Sequence, residues 1–233
     1  LDEEQDPNVL THIDRLKSTF AAAFPMYDIL PVLMEDLVYS LYQSPSTNWI
    51  GKDAMPVYGK TLAPTLTGMA AQVDKVIESH GYEKRVSDNM KACLNTRISS
   101  LRRGWKKEML DTLHSTSWAD LFDKPCIINL SYVGDDIDKS FFMSLILQFL
   151  YEYRTALAEC GLIDFNSNDC CHLTIIEEAH RVMQKCDKTD EPQYKTAMMF
   201  GNMLSEIRAY GEGLFLVDQV PTRLIPDAIK NTN

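Results

Sequence analysis

The chain has 233 residues, 45% of them hydrophobic, and a formal net charge of −10 at pH 7. That size allows one large domain or two small ones around a real core, and the acidity argues against a surface broadly complementary to a phosphate backbone. The longest apolar stretch, near residues 141–150, is interrupted by Ser144 and Gln148 and falls well short of the ~20 residues of a bilayer span.

The first residues, Leu-Asp-Glu-Glu-Gln-Asp, have neither the basic nor the apolar region of a secretory signal and read as a cut inside a longer protein. From there to about Trp118 the periodicity is helical. Leu30, Leu33, Met34, Leu37, Val38 and Leu41 form one apolar stripe, and Leu66, Met69, Ala70, Val73 and Ile77 form a second, with Gly81 placed for a left-handed C-terminal cap. A third carries Val86, Met90, Cys93, Leu94, Ile98 and Leu101 and ends before Gly104. Residues 43–64, rich in Ser, Pro, Asn and Gly, read as a surface loop. Within it Ala54-Met-Pro-Val-Tyr-Gly59-Lys60-Thr61 fits a loose phosphate-loop spacing. Its setting does not fit: no buried strand enters it, Pro56 removes an amide, and Pro64 follows where a helix has to start.

After Phe122 the pattern changes. Residues 126–133, Cys-Ile-Ile-Asn-Leu-Ser-Tyr-Val, read as a buried strand between turn signals. Asp136 or Asp138 can cap the helix that follows, with Phe142, Ile146, Phe149 and Tyr153 as its stripe and Gly161 as its end. A strand over 172–176, an acidic loop over 187–192, a helix over 193–210, a strand over 214–217 and a short helix near Ile225 complete the chain. Strands alternating with helices predict an α/β fold with a parallel sheet covered on both faces. The expected organisation is an all-helical domain over 1–123 and an α/β domain over 124–233.

Ligands of parallel sheets gather at the carboxyl ends of the strands. Glu177 and Glu178 stand at one such end and can divide the work of holding a magnesium ion, directly or through water, and polarising an attacking water. Capping the next helix would explain them equally well. At the next strand end Asp218-Gln219 places a polar pair, and a glutamine there can contact a γ-phosphate or the attacking water. Polar residues at both strand ends favour a nucleotide site over two coincidental exits.

The runs Ile175-Ile-Glu-Glu-Ala-His180-Arg181, Ser205-Glu-Ile-Arg208-Ala-Tyr-Gly211 and Leu214-Phe-Leu-Val-Asp-Gln219-Val-Pro221, with the closing Asn231-Thr-Asn, resemble the HerA branch of the HerA/FtsK ATPases. The resemblance covers residues 126–233; the helical part resembles, more weakly, an insertion carried by some bacterial members. It implies part of a RecA-like P-loop core using ATP and Mg2+, in a hexameric ring that moves double-stranded DNA, with a nuclease or other effector as partner. In its terms Glu177 is the magnesium-side acid, Glu178 the catalytic acid and Gln219 the sensor. Arg208 is a phosphate-contacting cation, and His180 beside the nucleotide either couples the site to its surroundings or is simply a capped helix histidine. The phosphate loop is absent, so this fragment alone is expected not to hydrolyse ATP. A non-catalytic assembly subunit and a secretion or conjugation ATPase are the alternatives.

Other groupings carry less. The six cysteines are dispersed, as expected of reduced, buried thiols in a cytoplasmic protein. Cys170-Cys171-His172 has no second ligand pair for zinc. Glu177-x-x-His180 is a single copy of a motif that di-iron bundles need twice, on helices, and the His-Glu-x-x-His of zinc proteases is missing. Arg97, Arg102, Arg103, Lys106 and Lys107 around Trp105 form a basic cluster that suits either a helix C-terminus or stacking on nucleic acid.

Overall fold

A computed structural model describes residues 7–24, 29–42, 64–113, 116–162, 170, 172–185 and 191–230. The chain divides into two units, Leu1–Lys17 with Met26–Ser115, and Ser18–Pro25 with Thr116–Asn233. Helix α1 (Pro7–Ala23) contributes to both.

The first unit is helical, built on α2 (Leu30–Tyr42), α3 (Leu66–Ser79), α4 (Lys84–Leu101) and the short α5 (Trp105–Leu110). Its stripes do what their spacing predicts in α2 and α3: Leu33, Met34, Leu37, Val73 and Ile77 are completely buried. Thr65 opens α3 as its cap, its Oγ1 accepting from Gly68 N at 3.0 Å. Gly81, at φ +67°, turns the chain from α3 towards α4 in the left-handed conformation that favours glycine. The stripe of α4 is buried only in its second half. Leu94, Ile98 and Leu101 are in the core, whereas Val86 is exposed, because Ser87 takes the inward position on the first turns. Arg102, read as part of a basic cluster, is tied into the fold: it reaches Asp111 Oδ2 through Nε at 3.3 Å and Thr67 Oγ1 through NH2 at 2.8 Å. The Ala54–Thr61 match lies outside the described residues.

The second unit consists of α6 (Trp118–Phe122), α7 (Asp136–Glu159), β1 (His172–Glu177), α8 (His180–Met183), α9 (Glu191–Ile207), β2 (Glu212–Val217) and α10 (Pro226–Lys230). Among the described residues its sheet has two strands, paired in parallel with His172 opposite Glu212 and Glu177 opposite Val217. The crossover between them runs through α8 and α9, the βαβ connection that alternating strands and helices predict. The core gathers Leu147, Leu150, Ile176, Met183, Phe200 and Ile225, and the void among Leu147, Tyr151, Phe200, Met203 and Leu214 is small and apolar.

Several expectations are corrected. Residues 126–133 are not a strand: Ile127 is 94% exposed and the segment pairs with neither strand. An apolar run is buried throughout only where a neighbour offers backbone partners and a covering face, and this one has no strand partner among the described residues and buries only Val133 fully. Among the described residues the sheet, too, is covered on one face only. Ile176, Leu214 and Leu216 pack on the core, while Leu173, Ile175 (62%) and Phe215 (58%) on the other face are exposed.

In α7 the buried set is broader than the predicted stripe. Leu147, Leu150, Tyr151 and Arg154 occupy the inner face, and Phe149 and Tyr153 are drawn sideways onto Trp118 of α6, at 5.4 and 6.3 Å between ring centres. Its N-cap is Asp135, whose Oδ1 accepts from Ile137 N at 2.9 Å, with Asp136 and Asp138 in the first turn. The long helix expected before β2 stops at Ile207 and passes through a 3-10 turn, Arg208–Tyr210, to Gly211 at φ +75°. Nor are the thiols buried: among the described residues Cys126, Cys160 and Cys170 are exposed and Cys93 is half-buried, all of them free. No described helix is long and apolar enough to cross a membrane.

Candidate functional site

Parallel pairing in this register sets the ends of β1 and β2 side by side, so the residues leaving both strands converge. Glu177 is the last residue of β1, exposed, opposite Val217. Glu178 follows at φ +54°, the only non-glycine residue at positive φ among those described. For an L-residue this conformation costs roughly 1–2 kcal/mol. It holds the turn between β1 and α8, stitched by Ala179 N donating to Val217 O at 3.4 Å.

Glu178 stands directly before the N-cap of α8, but its side chain makes no cap hydrogen bond there. The residue in the N-cap position of α8 is Ala179, with no side-chain cap of its own. The cap comes from the neighbouring strand exit: Asp218 Oδ2 accepts from His180 N at 2.8 Å and from His180 Nδ1 at 2.8 Å. Glu178 is thereby spared that task. Its Oε1 lies 3.5 Å from Gln219 Nε2, a long hydrogen bond, and its Oε2 is 3.7 Å from His180 Nδ1.

Asp218 joins the two strand exits. Its side chain is 3% exposed, and its Oδ1 accepts from Val220 N at 2.9 Å. Burial pushes its carboxyl upward, but the hydrogen bonds from Val220 N, His180 N and the His180 ring outweigh burial and hold it below the usual carboxylate range. As an ionised acceptor it obliges His180 Nδ1 to be the donor. Its position after an apolar strand was visible in the sequence. Nothing local in the sequence signals that it reaches back to His180, 38 residues earlier.

Downstream contacts fasten the two exits. Gln184 and Leu224 form an antiparallel bridge, Lys185 N donates to Arg223 O at 2.7 Å and Ile225 N to Met183 O at 2.9 Å. Arg181 of α8 binds Asp136 at the start of α7 at 2.7 Å. Glu177, Glu178, His180, Asp218 and Gln219 therefore share one end of the sheet. Arg208 does not join them: it precedes β2 and sits at the opposite end, a strand length of roughly 20 Å away.

That opposite end is occupied by a buried network. Glu212 accepts from Arg154 Nε at 2.8 Å, His172 Nδ1 at 2.8 Å and Thr174 Oγ1 at 2.6 Å. Arg154 also donates to Asp123 at 2.8 Å and to Phe122 O at 2.5 Å. Thus His172, suspected beside Cys170 as a metal ligand, has its Nδ1 committed to Glu212. Among the described residues no three His, Cys, Asp or Glu side chains are grouped to hold a metal ion. A magnesium ion on a nucleotide needs less, since one or two carboxylates, waters and phosphate oxygens suffice. The exposed carboxylate of Glu177 is a donor of that kind. Compared with protein-family models, curated proteins and solved structures, the chain matches none.

Proposed function

We propose that this chain supplies the acid-and-sensor part of an ATP-hydrolysing motor that moves double-stranded DNA. The observation that carries the reading is the convergence of Glu178 and Gln219, 3.5 Å apart, at the carboxyl ends of adjacent parallel strands. With helix capping assigned to Asp218, the Glu178 carboxylate is available to accept a proton or orient a water. In this reading Glu178 holds the water that attacks the γ-phosphate in line, and Gln219 donates to that water or to a γ-phosphate oxygen. Glu177 faces the nucleotide from the strand end, and magnesium, when bound there, neutralises charge on the phosphate oxygens. The phosphate-binding loop comes from outside the described residues. His180, held on Asp218, stands behind Glu178 in a supporting role.

DNA as cargo, the ring and its hexameric state, and a nuclease or effector partner rest on the family resemblance in the motifs. The acidic net charge confines DNA contact to local surfaces such as channel-facing loops. The test is ATP turnover by the whole protein with and without duplex DNA. Glu178→Gln is expected to abolish turnover while leaving ATP binding intact, and duplex DNA to stimulate the wild type in a salt-sensitive way. Undiminished turnover in the Gln variant removes Glu178 from the mechanism, and turnover indifferent to DNA removes the cargo.

A further inference from the structure

Asp218 touches both strand exits at once. One oxygen holds the backbone N and the ring Nδ1 of His180, two residues after Glu178 on the β1 side. The other holds the backbone N of Val220, directly after Gln219 on the β2 side. Glu178 meanwhile occupies a backbone conformation that its own side chain disfavours, so its placement depends on what fixes the residues around it. The Ala179–Val217 bond is long, at 3.4 Å. The short contacts in this turn are Arg181 N to Glu178 O at 2.9 Å, within the chain itself, and the paired 2.8 Å bonds from His180 to Asp218, which alone among them tie it to the other strand exit, through a carboxylate withdrawn from solvent.

We infer that Asp218 is a positioning residue for the proposed hydrolysis, acting through His180 to lock the Glu178 turn against the Gln219 turn so that both side chains address one water. This rests on the ATPase reading of the same site. Asp218 takes no proton from the water and touches no phosphate in this scheme. What it contributes is a fixed ring and a fixed backbone: with Nδ1 committed as a donor, the ring cannot rotate, and its neighbour Glu178 keeps the aim that the strained turn gives it. A purely structural aspartate would stabilise the turn without acting through the imidazole.

The experiment combines nitrogen-edited NMR of the His180 ring and the Gln219 side-chain amide in this chain with ATP turnover and ATP binding by the whole protein, for wild type, Asp218→Asn, His180→Ala and the double variant. Wild type is expected to carry its proton on Nδ1 in the neutral ring. Asp218→Asn keeps a single acceptor oxygen, so it can hold either the two His180 donors or the Val220 N donor but not both. The link between the two exits is broken either way, and the Gln219 amide signals are expected to shift. Turnover is expected to fall about 10- to 100-fold, the range for losing a supporting contact to a reactive group, with KM for ATP within about twofold, since the lost interaction acts in the transition state. The double variant is expected to be no slower than His180→Ala alone, because both remove one connection. Should the Asn variant not fold, His180→Ala removes the ring bond while the backbone bonds to Asp218 remain, and is expected to give a Gln219 shift and turnover loss in the same direction. Unchanged Gln219 amide signals, undiminished kcat, or losses that multiply in the double variant overturn the positioning role. Wild-type protein without turnover overturns the ATPase reading and the positioning role with it, whereas a Gln219 amide unresponsive to both variants in an active enzyme overturns the positioning role alone.

Discussion

Arg154 Nε lies 2.8 Å from Glu212 Oε2, and the two side chains are 5% and 0% exposed. The pair ties the middle helix of the second unit to the first residue of β2, at the sheet end opposite the glutamates. Because His172 and Thr174 of β1 also donate to Glu212, the network fixes both strands at their starts. It therefore sets the register that brings Glu178 and Gln219 together at the other end.

Removing one member of this pair strips a buried charge of its buried partner, leaving Arg154 with the part-exposed Asp123 or Glu212 with His172 and Thr174. Arg154→Met or Glu212→Leu alone is expected to destabilise the protein by about 3–5 kcal/mol in denaturant unfolding, and the double replacement by less than the sum of the two. Equal additivity of the two losses would mean that the charges do not depend on one another.

Glu178 gives a prediction that separates stability from chemistry. At φ +54° glycine pays no side-chain penalty while alanine does, so Glu178→Gly is expected to unfold about 1 kcal/mol less readily than Glu178→Ala. Both are expected to be inactive in ATP turnover. Equal unfolding midpoints for the two variants would show that the turn relaxes once the carboxylate is gone.

Asp218 makes stability depend on pH in a defined direction. Its pKa in the folded state is lowered, chiefly because hydrogen bonds from Val220 and His180 overcome the effect of burial. A group of this kind contributes stability that is fully present above the unfolded carboxylate pKa of about 3.9 and is lost as pH falls through the lower folded value. Asp218→Asn is expected to be less stable than wild type at neutral pH, with the gap closing below about pH 4. Unfolding free energies measured from pH 7 down to pH 3 check this, and a gap that widens in acid would contradict it.

In the helical unit Asp111 plays a comparable role. Its side chain, 2% exposed, accepts from Thr67 N at 2.7 Å, Thr67 Oγ1 at 2.6 Å and Arg102 Nε at 3.3 Å. Burial, which raises its pKa, is outweighed by the Thr67 hydrogen bonds and the Arg102 contacts. Asp111→Ala leaves those donors unmatched and is expected to cost about 1–3 kcal/mol in thermal or denaturant unfolding. A loss below a few tenths of a kcal/mol would mean that water replaces the carboxylate there.

The sequence by itself determined the local structure and part of the site. Helices α2 and α3 were legible because an apolar residue every three or four positions can be buried in only one way, and Gly81 because its neighbours leave it the left-handed cap. Strands β1 and β2 were legible as short apolar runs ending in polar pairs, which is why Glu177, Glu178 and Gln219 stood out. Tertiary structure decided the rest. The run 126–133 has the composition of a strand, but pairing needs a partner in register, and composition does not specify one. The buried face of α7 was set by what packs on it, and Arg208 was placed at the far end of β2 by connectivity. The assignment of the helix cap to Asp218 joins residues 38 apart in the chain. Local patterns report each residue's own backbone preference; which carboxylate caps the helix and which one faces the open strand ends follows only from the distances that parallel pairing creates.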